Sequence, residues 1–242
     1  MTAAEIETRT LKRLDDDGEK PIFWGGNEFL AALNEAQRFF VLLTLCLEKT
    51  ATLALEAGTA FYRVGAVYRD WIVPVRVALA GSGVKVRPAT LGELDAENPN
   101  WQHIPGTPAR YACLGFDLVA VTPQPAGSGT SLDVTYACAP TRMTPGTDIP
   151  EIPEEYHASL IDYAIPRLRM KEGAQEFAKT LPLFKRFLGD ATKFGAYVRR
   201  RNLGRGYDKL PIELERFDAS KLFRMAMQKE KVWQTTSGSP QE

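Results

Sequence analysis

Cysteine, histidine and long apolar runs are all scarce in this chain of 242 residues, which holds three cysteines and two histidines. Cys46, Cys113 and Cys138 are odd in number and far apart, with no C-x-x-C pair to begin a zinc site or a redox motif. They read as reduced fillers of a chain folded in a cytoplasm. Cys113 and Cys138 could face each other on neighbouring strands, but a disulfide is not expected. No stretch reaches the roughly 20 apolar residues of a membrane span, and the first residues are acidic and polar rather than basic then apolar. Neither an anchor nor an export signal is therefore expected. Net charge is lacking too: 30 basic side chains balance 30 acidic ones, so no global field draws the chain to nucleic acid or membrane.

Catalytic signatures are equally thin. There is no G-x-S-x-G elbow, and His157, Ser159 and Asp162 are helix neighbours whose spacing does not line up a triad. Glu154-x-x-His157 has the spacing of one di-iron ligand pair, but such a site needs a second pair, and the other histidine, His103, sits in a loop segment. Gly81-Ser82-Gly83 and Gly127-Ser128-Gly129 lack the Lys-Ser/Thr that follows a phosphate-cradling loop, so they read as turns. No enzyme, metal site or cofactor is expected, and the working parts should be surfaces.

What is present is a clear order of patterns. A hydrophobic content of 44% with 25% charged residues gives an ordinary globular core of one or two domains. Thr2–Leu14 predicts a short amphipathic helix with Ile6, Leu11 and Leu14 on one side, stopped by Asp15-Asp16-Asp17-Gly18. Asn27–Leu47 predicts a longer one, capped by Asn27, with a stripe of Leu30, Leu33, Ala36, Phe40, Leu43 and Leu47 flanked by Phe29 and Phe39. From Thr50 the period changes to two: Val73, Val75, Val77 and Leu79, then Leu132, Val134, Tyr136 and Cys138, alternate as half-buried strands do. Pro74 cannot donate to a ladder, which puts its strand at an edge or starts it later. The Gly81–Gly83 and Ala126–Gly129 turns should close hairpins, giving a small antiparallel sandwich or barrel. Thr90 and Glu93 form a capping box for a short helix, and Trp101 should plug the side of the sheet. After a proline-rich joint, Pro140–Pro153, helical spacing returns with Tyr156, Leu160, Tyr163 and Ala164, and again over Gly173–Arg201, with bends expected at Pro166 and Pro182. The Asn27–Leu47 helix should pack against both of these. The fold class is thus α+β: an antiparallel helical bundle (1–49 and 141–205) with an inserted antiparallel β domain (50–140) and an extended tail (206–242).

Two segments look made for contact. Residues 1–150 carry 13 Lys/Arg against 17 Asp/Glu and residues 151–242 carry 17 against 13, so acidic and basic parts are separated along the chain. The basic share concentrates in residues 185–205, where Lys185, Arg186, Lys193, Arg199, Arg200, Arg201 and Arg205 face one acid, Asp190. Lys193 and Arg199, Arg200, Arg201 and Arg205 are candidates for a subunit interface or for a DNA channel. Cations near a helix C-terminus also serve the dipole, and arginines pair with carboxylates across interfaces. The tail carries Phe217, Leu222, Phe223, Met225 and Trp233, too apolar for a linker and too sparse to bury one another, and is expected to be mobile until it meets a partner.

Asn27–Gln37 (NEFLAALNEAQ), Leu94-Asp95 followed by Pro99-x-Trp101, Gly106-x-Pro108-x-x-Tyr111, Pro123-x-Pro125 and Ile152–Tyr163 (IPEEYHASLIDY) together resemble the head-to-tail adaptor proteins of tailed bacteriophages, the group that includes tail tubular protein A. The resemblance covers about residues 8–200. It implies a helical bundle with an inserted β-sandwich, assembled as a commonly dodecameric ring beneath the portal, joining capsid to tail and surrounding the DNA exit channel. The implied partners are further copies of the chain, the portal protein and a tail tube, nozzle or tail-completion protein. Its place would be the neck of the virion, and the host cytoplasm during assembly. Terminal segments of such adaptors commonly order on the portal, which suits residues 206–242. The rivals are a DNA-binding assembly factor using residues 185–205 and a tail-completion protein.

Overall fold

The computed structural model describes residues 1–16 and 23–206. Helices, in chain order, are α1 (Ala3–Arg13), α2 (Gly26–Thr44), α3 (Val64–Val67), α4 (Leu91–Glu97), α5 (His157–Arg169) and α6 (Ala174–Gly204). The strands are β1 (Glu48–Ala54), β2 (Phe61–Arg63), β3 (Trp71–Leu79), β4 (Lys85–Pro88), β5 (Pro105–Gly106), β6 (Arg110–Leu114), β7 (Leu118–Thr122), β8 (Gln124–Pro125) and β9 (Ser131–Cys138). The α+β class expected from the sequence is what forms. Two compact units divide the described chain: residues 1–36 with 143–196, and residues 37–142 with 197–206.

The first unit is helical. Thr2 and Glu5 make a reciprocal capping box that starts α1, and α1 packs on α5 through Ile6 and Leu11. α5 is buried almost all round, as a helix reading IDYAIP must be, and its neighbours converge on it. Glu35 on α2 accepts from Tyr163 at 2.8 Å and Arg167 at 3.0 Å on α5. Tyr163 in turn meets Phe184 and Phe187 of α6 with its ring tilted against theirs. Within this unit α5 therefore touches α1, α2 and α6. In α2 the buried residues include Phe29, Leu33 and Ala36, while Leu30 is only half-buried, so the stripe is turned by about one residue from the expected one. The helix starts at Gly26 rather than being capped by Asn27: the Glu28 carboxylate reaches back to the Gly25 amide at 3.0 Å. Pro166 and Pro182 both lie inside their helices. Pro166 sits in the last turn of α5, where only a few residues remain to be displaced.

The second unit is built on a seven-stranded sheet in the order β1-β9-β3-β4-β6-β7-β2. It curls, because Leu53 and Leu55 beside one edge strand and Tyr62 on the other share one apolar cluster with Val77, Val86, Val121, Leu132 and Val134. Most pairs are antiparallel, but β4 and β6 run parallel, and β5 and β8 form a separate parallel pair. The sheet is mixed, not purely antiparallel as expected. Parallel pairing needs a crossover, supplied here by α4 and the turn at Trp101–His103, and such a long-range partner leaves no local mark. Gly81–Gly83 does close the β3–β4 hairpin, with Gly81 and Gly83 at φ 80° and 66°. Ala126–Gly129 instead carries the chain from β8 to β9, which pair with different strands. β3 is interior and begins before Pro74; register irregularities on either side of Pro74 absorb the missing donor. Cys113 on β6 and Cys138 on β9 are not on neighbouring strands, and neither is in a disulfide.

Candidate functional site

The residues that carry the family resemblance turn out to be fasteners. The Asn34 side chain donates to the Met143 carbonyl at 3.1 Å and accepts from its amide at 2.7 Å, gripping the proline-rich joint in both directions. The Gln37 side chain donates to the Thr141 carbonyl at 3.2 Å. Leu94 and Trp101 sit on Ala60, Ala112 and Ala120, whose small side chains let them descend onto the outer face of the sheet, and the Trp101 indole donates to Asp95 at 2.9 Å. This is the plug expected of Trp101. A Cβ on Gly106 would lie 3.0 Å from the Pro123 ring, so the Gly and Pro motifs meet where β5 joins β8.

IPEEYHASLIDY is likewise consumed by structure. His157 is 1% exposed, with Nδ1 at 3.0 Å from the Met1 amine and Nε2 at 3.0 Å from the Ile152 carbonyl. Ser159 donates to Asp190 at 2.8 Å. Asp162, 3% exposed, takes a two-pronged bond from Arg186 and lies 3.5 Å from Arg13. Neither the triad nor the di-iron pair is assembled, and among the described residues no three His, Cys, Asp or Glu cluster as metal ligands. The two largest acid–base shifts among the described residues belong to tyrosines. Burial, then Asp70, pushes Tyr136 up to about 12, and burial, then Glu35, pushes Tyr163 higher still. Among the described residues no helix is long and apolar enough to cross a membrane.

The basic candidates fare differently from one another. Lys193 is exposed and belongs to the helical unit, whereas Arg199, Arg200, Arg201 and Arg205 belong to the sheet unit. There the end of α6 buries Val198 and Asn202. Arg201 and Asn202 both bond Glu48 at the start of β1, at 3.3 Å and 3.0 Å, so the Arg201 guanidinium is engaged inside the fold. Arg199 is half-buried; Arg200 and Arg205 are exposed, and their side chains have no partner among the described residues. Arg186, part of the same run in sequence, is taken up by Asp162. Phe217, Leu222, Phe223, Met225 and Trp233 lie outside the described residues.

Folding also redistributes the charge. Residues 1–16, 23–36 and 143–196 carry 10 Lys/Arg against 14 Asp/Glu, net −4, while residues 37–142 and 197–206 carry 13 against 8, net +5. The acidic part is thus the helical unit and the basic part the sheet unit.

The family model described as SU10 adaptor protein matches residues 1–206. The chain belongs to that family. These are phage head-to-tail adaptors, structural components of the virion. No curated protein matches the adaptor. Its family match ends at residue 206, two residues beyond α6, so the tail candidates lie outside the matched part as well.

Proposed function

We propose that the adaptor forms a ring beneath the portal, joins the capsid to the tail around the DNA exit channel, and attaches to the portal through residues 206–242. The observation that supports the ring is the charge division: a helical unit of net −4 and a sheet unit of net +5 give each copy two parts of opposite charge. A closed head-to-tail ring needs that kind of heterologous contact, and complementary charge steers it. Arg200 is the cation best placed to act between copies, being exposed and without a partner among the described residues. Arg201 is unsuitable as a probe, because its replacement would disturb Glu48 within the fold.

The tail reading rests on composition. Phe217, Leu222, Phe223, Met225 and Trp233 are residue types that anchor in grooves, and a segment that cannot bury them alone gains most by ordering on a partner. On this reading Phe223 and Trp233 carry much of the portal binding. Class averages of the full chain mixed with portal test the proposal: a ring coaxial with the portal is expected. A chain that stays monomeric with portal present would overturn it, and a ring seated only on tails would favour the tail-completion role. Deleting 206–242 should leave thermal stability nearly unchanged but abolish attachment to portal-containing heads, so that particles package DNA and then leak it. Full attachment by the truncated chain would move the docking surface elsewhere.

A further inference from the structure

A second cationic surface lies on the sheet unit, and no part of it belongs to the basic run at 185–205 except its rim. Val86 and Tyr111 point into the curled core, so the alternation of β4 and β6 turns Lys85, Arg87 and Arg110 to the opposite face. Arg87 and Arg110 are register partners in the parallel pair, about 4.8 Å apart at the backbone, and Lys85 follows on the same face about 6.6 Å along β4. Like charges directly opposite one another oppose the pairing of strands, so such an arrangement calls for an anion. Within the fold only half of that demand is met. Arg110 pairs with Glu97 at 2.7 Å, whereas the Arg87 side chain is exposed and has no partner among the described residues. Lys85 donates to the Gly206 carbonyl at 2.8 Å, which brings Arg205 to the border of the same surface. These cations edge a groove of about 360 Å³ whose remaining lining is Leu79, Val84, Thr107, Pro108 and Ala109.

We propose that Lys85, Arg87 and Arg110, bordered by Arg205, bind the phosphodiester backbone of duplex DNA. A row of cations repeating along a strand and across to its neighbour suits a linear polyanion, and arginine pairs present a fork to phosphate oxygens. Among the described residues no aromatic ring lines the groove, so bases find nothing there to stack on and a single strand has no advantage over a duplex. An acidic protein face, such as the net-negative helical unit of a second copy, is the competing occupant.

The test is fluorescence anisotropy of the full chain with a mixed-sequence duplex from 50 to 200 mM salt, comparing wild type, R87Q/R110Q and R63Q, whose arginine is exposed on β2 at the far edge of the sheet. Wild type and R63Q should bind with a steep salt dependence, and R87Q/R110Q should lower the slope of log affinity against log salt by about 1 to 2. Circular dichroism should show all three folded alike, and portal attachment should survive R87Q/R110Q, which separates this site from the ring and tail readings. Unchanged slope and affinity in R87Q/R110Q, or no salt-dependent binding by wild type, would overturn the proposal. So would a variant that keeps DNA binding but loses self-association, which would assign the surface to a neighbouring copy.

Discussion

The helical unit and the sheet unit solve the problem of a unique core in different ways. Among the helices, Asp162 and His157 are buried on α5 and answered by Arg186, Arg13, Met1 and Ile152, while Ser159 is bonded to Asp190 and Tyr163 to Glu35. Inside the curled sheet the shared cluster is chiefly aliphatic, and the Tyr62 hydroxyl finds main-chain partners at Glu56 and Thr59. A backbone ladder already sets the register of strands, so their side chains need only fill space. Helices can slide and rotate on one another, and directional bonds from polar side chains remove that freedom. In both units, among the described residues, no buried side-chain polar atom lacks a partner.

Removing core volume should harm both units most. Phe187→Ala deletes a fully buried ring that touches Tyr163 and Phe184 and should cost the helical unit about 4 kcal/mol, and Leu132→Ala should cost the sheet about 3 kcal/mol. Hydrogen exchange resolved by peptide reads where the loss falls. If each substitution loosened both units equally, the division into two would be wrong. Arg186→Ala sharpens the contrast, because it leaves the buried Asp162 with Arg13 alone. A cost of about 2 kcal/mol is expected, below that of a wholly buried pair because Arg186 is half exposed to water. Urea denaturation at neutral pH measures it, and a change under about 0.5 kcal/mol would show that Asp162 is content without its fork.

The caps offer a smaller, matched comparison. Thr2→Ala on α1 and Thr90→Ala on α4 each remove the same reciprocal box and should each cost about 1 kcal/mol. A much larger effect at Thr90 would mean that α4 orders the β4–β6 crossover as well as itself. Alkali gives the mildest contrast. A tyrosine held protonated in the folded state contributes stability that is complete below its unfolded pKa near 10 and is lost as pH rises through the folded value. Tyr136 should therefore withdraw its contribution between about pH 10 and about 12, and Tyr163 from the same starting pH to a higher limit. Tyr136→Phe should flatten the fall of melting temperature between pH 9 and 11, and an unaltered slope would assign that fall to other groups.

The amphipathic helices, the two longest strands, the Gly81–Gly83 turn and the Thr90 box were legible because each is written in residues close along the chain. The parallel β4–β6 pair was not, since Arg87 and Arg110 are joined only by the crossover between them. Neither was the tight β6–β7 turn, although Gly115 at φ 68°, with Phe116 and Asp117 beyond it, is the local signal that could have revealed it. For the site, density of charge was a poor guide to availability. Arg186 and Arg201 lie in the richest basic stretch and are taken by Asp162 and Glu48, while Arg87, in an ordinary strand, is left exposed. Counting charges along the sequence finds where cations are; only the fold says which have already been answered.

Trp24 and Trp101, both buried, fall one to each unit, the first donating its indole to Leu168 and the second to Asp95. Trp71, stacked 4.8 Å from Tyr136, adds a second emitter to the sheet, and Trp233 is carried by the tail. Each part of the chain thus contains its own native fluorophore. Replacing all but one by phenylalanine would yield a set of proteins whose emission follows the helices, the sheet or the tail separately, so that any response to added portal or DNA could be timed part by part without an added label.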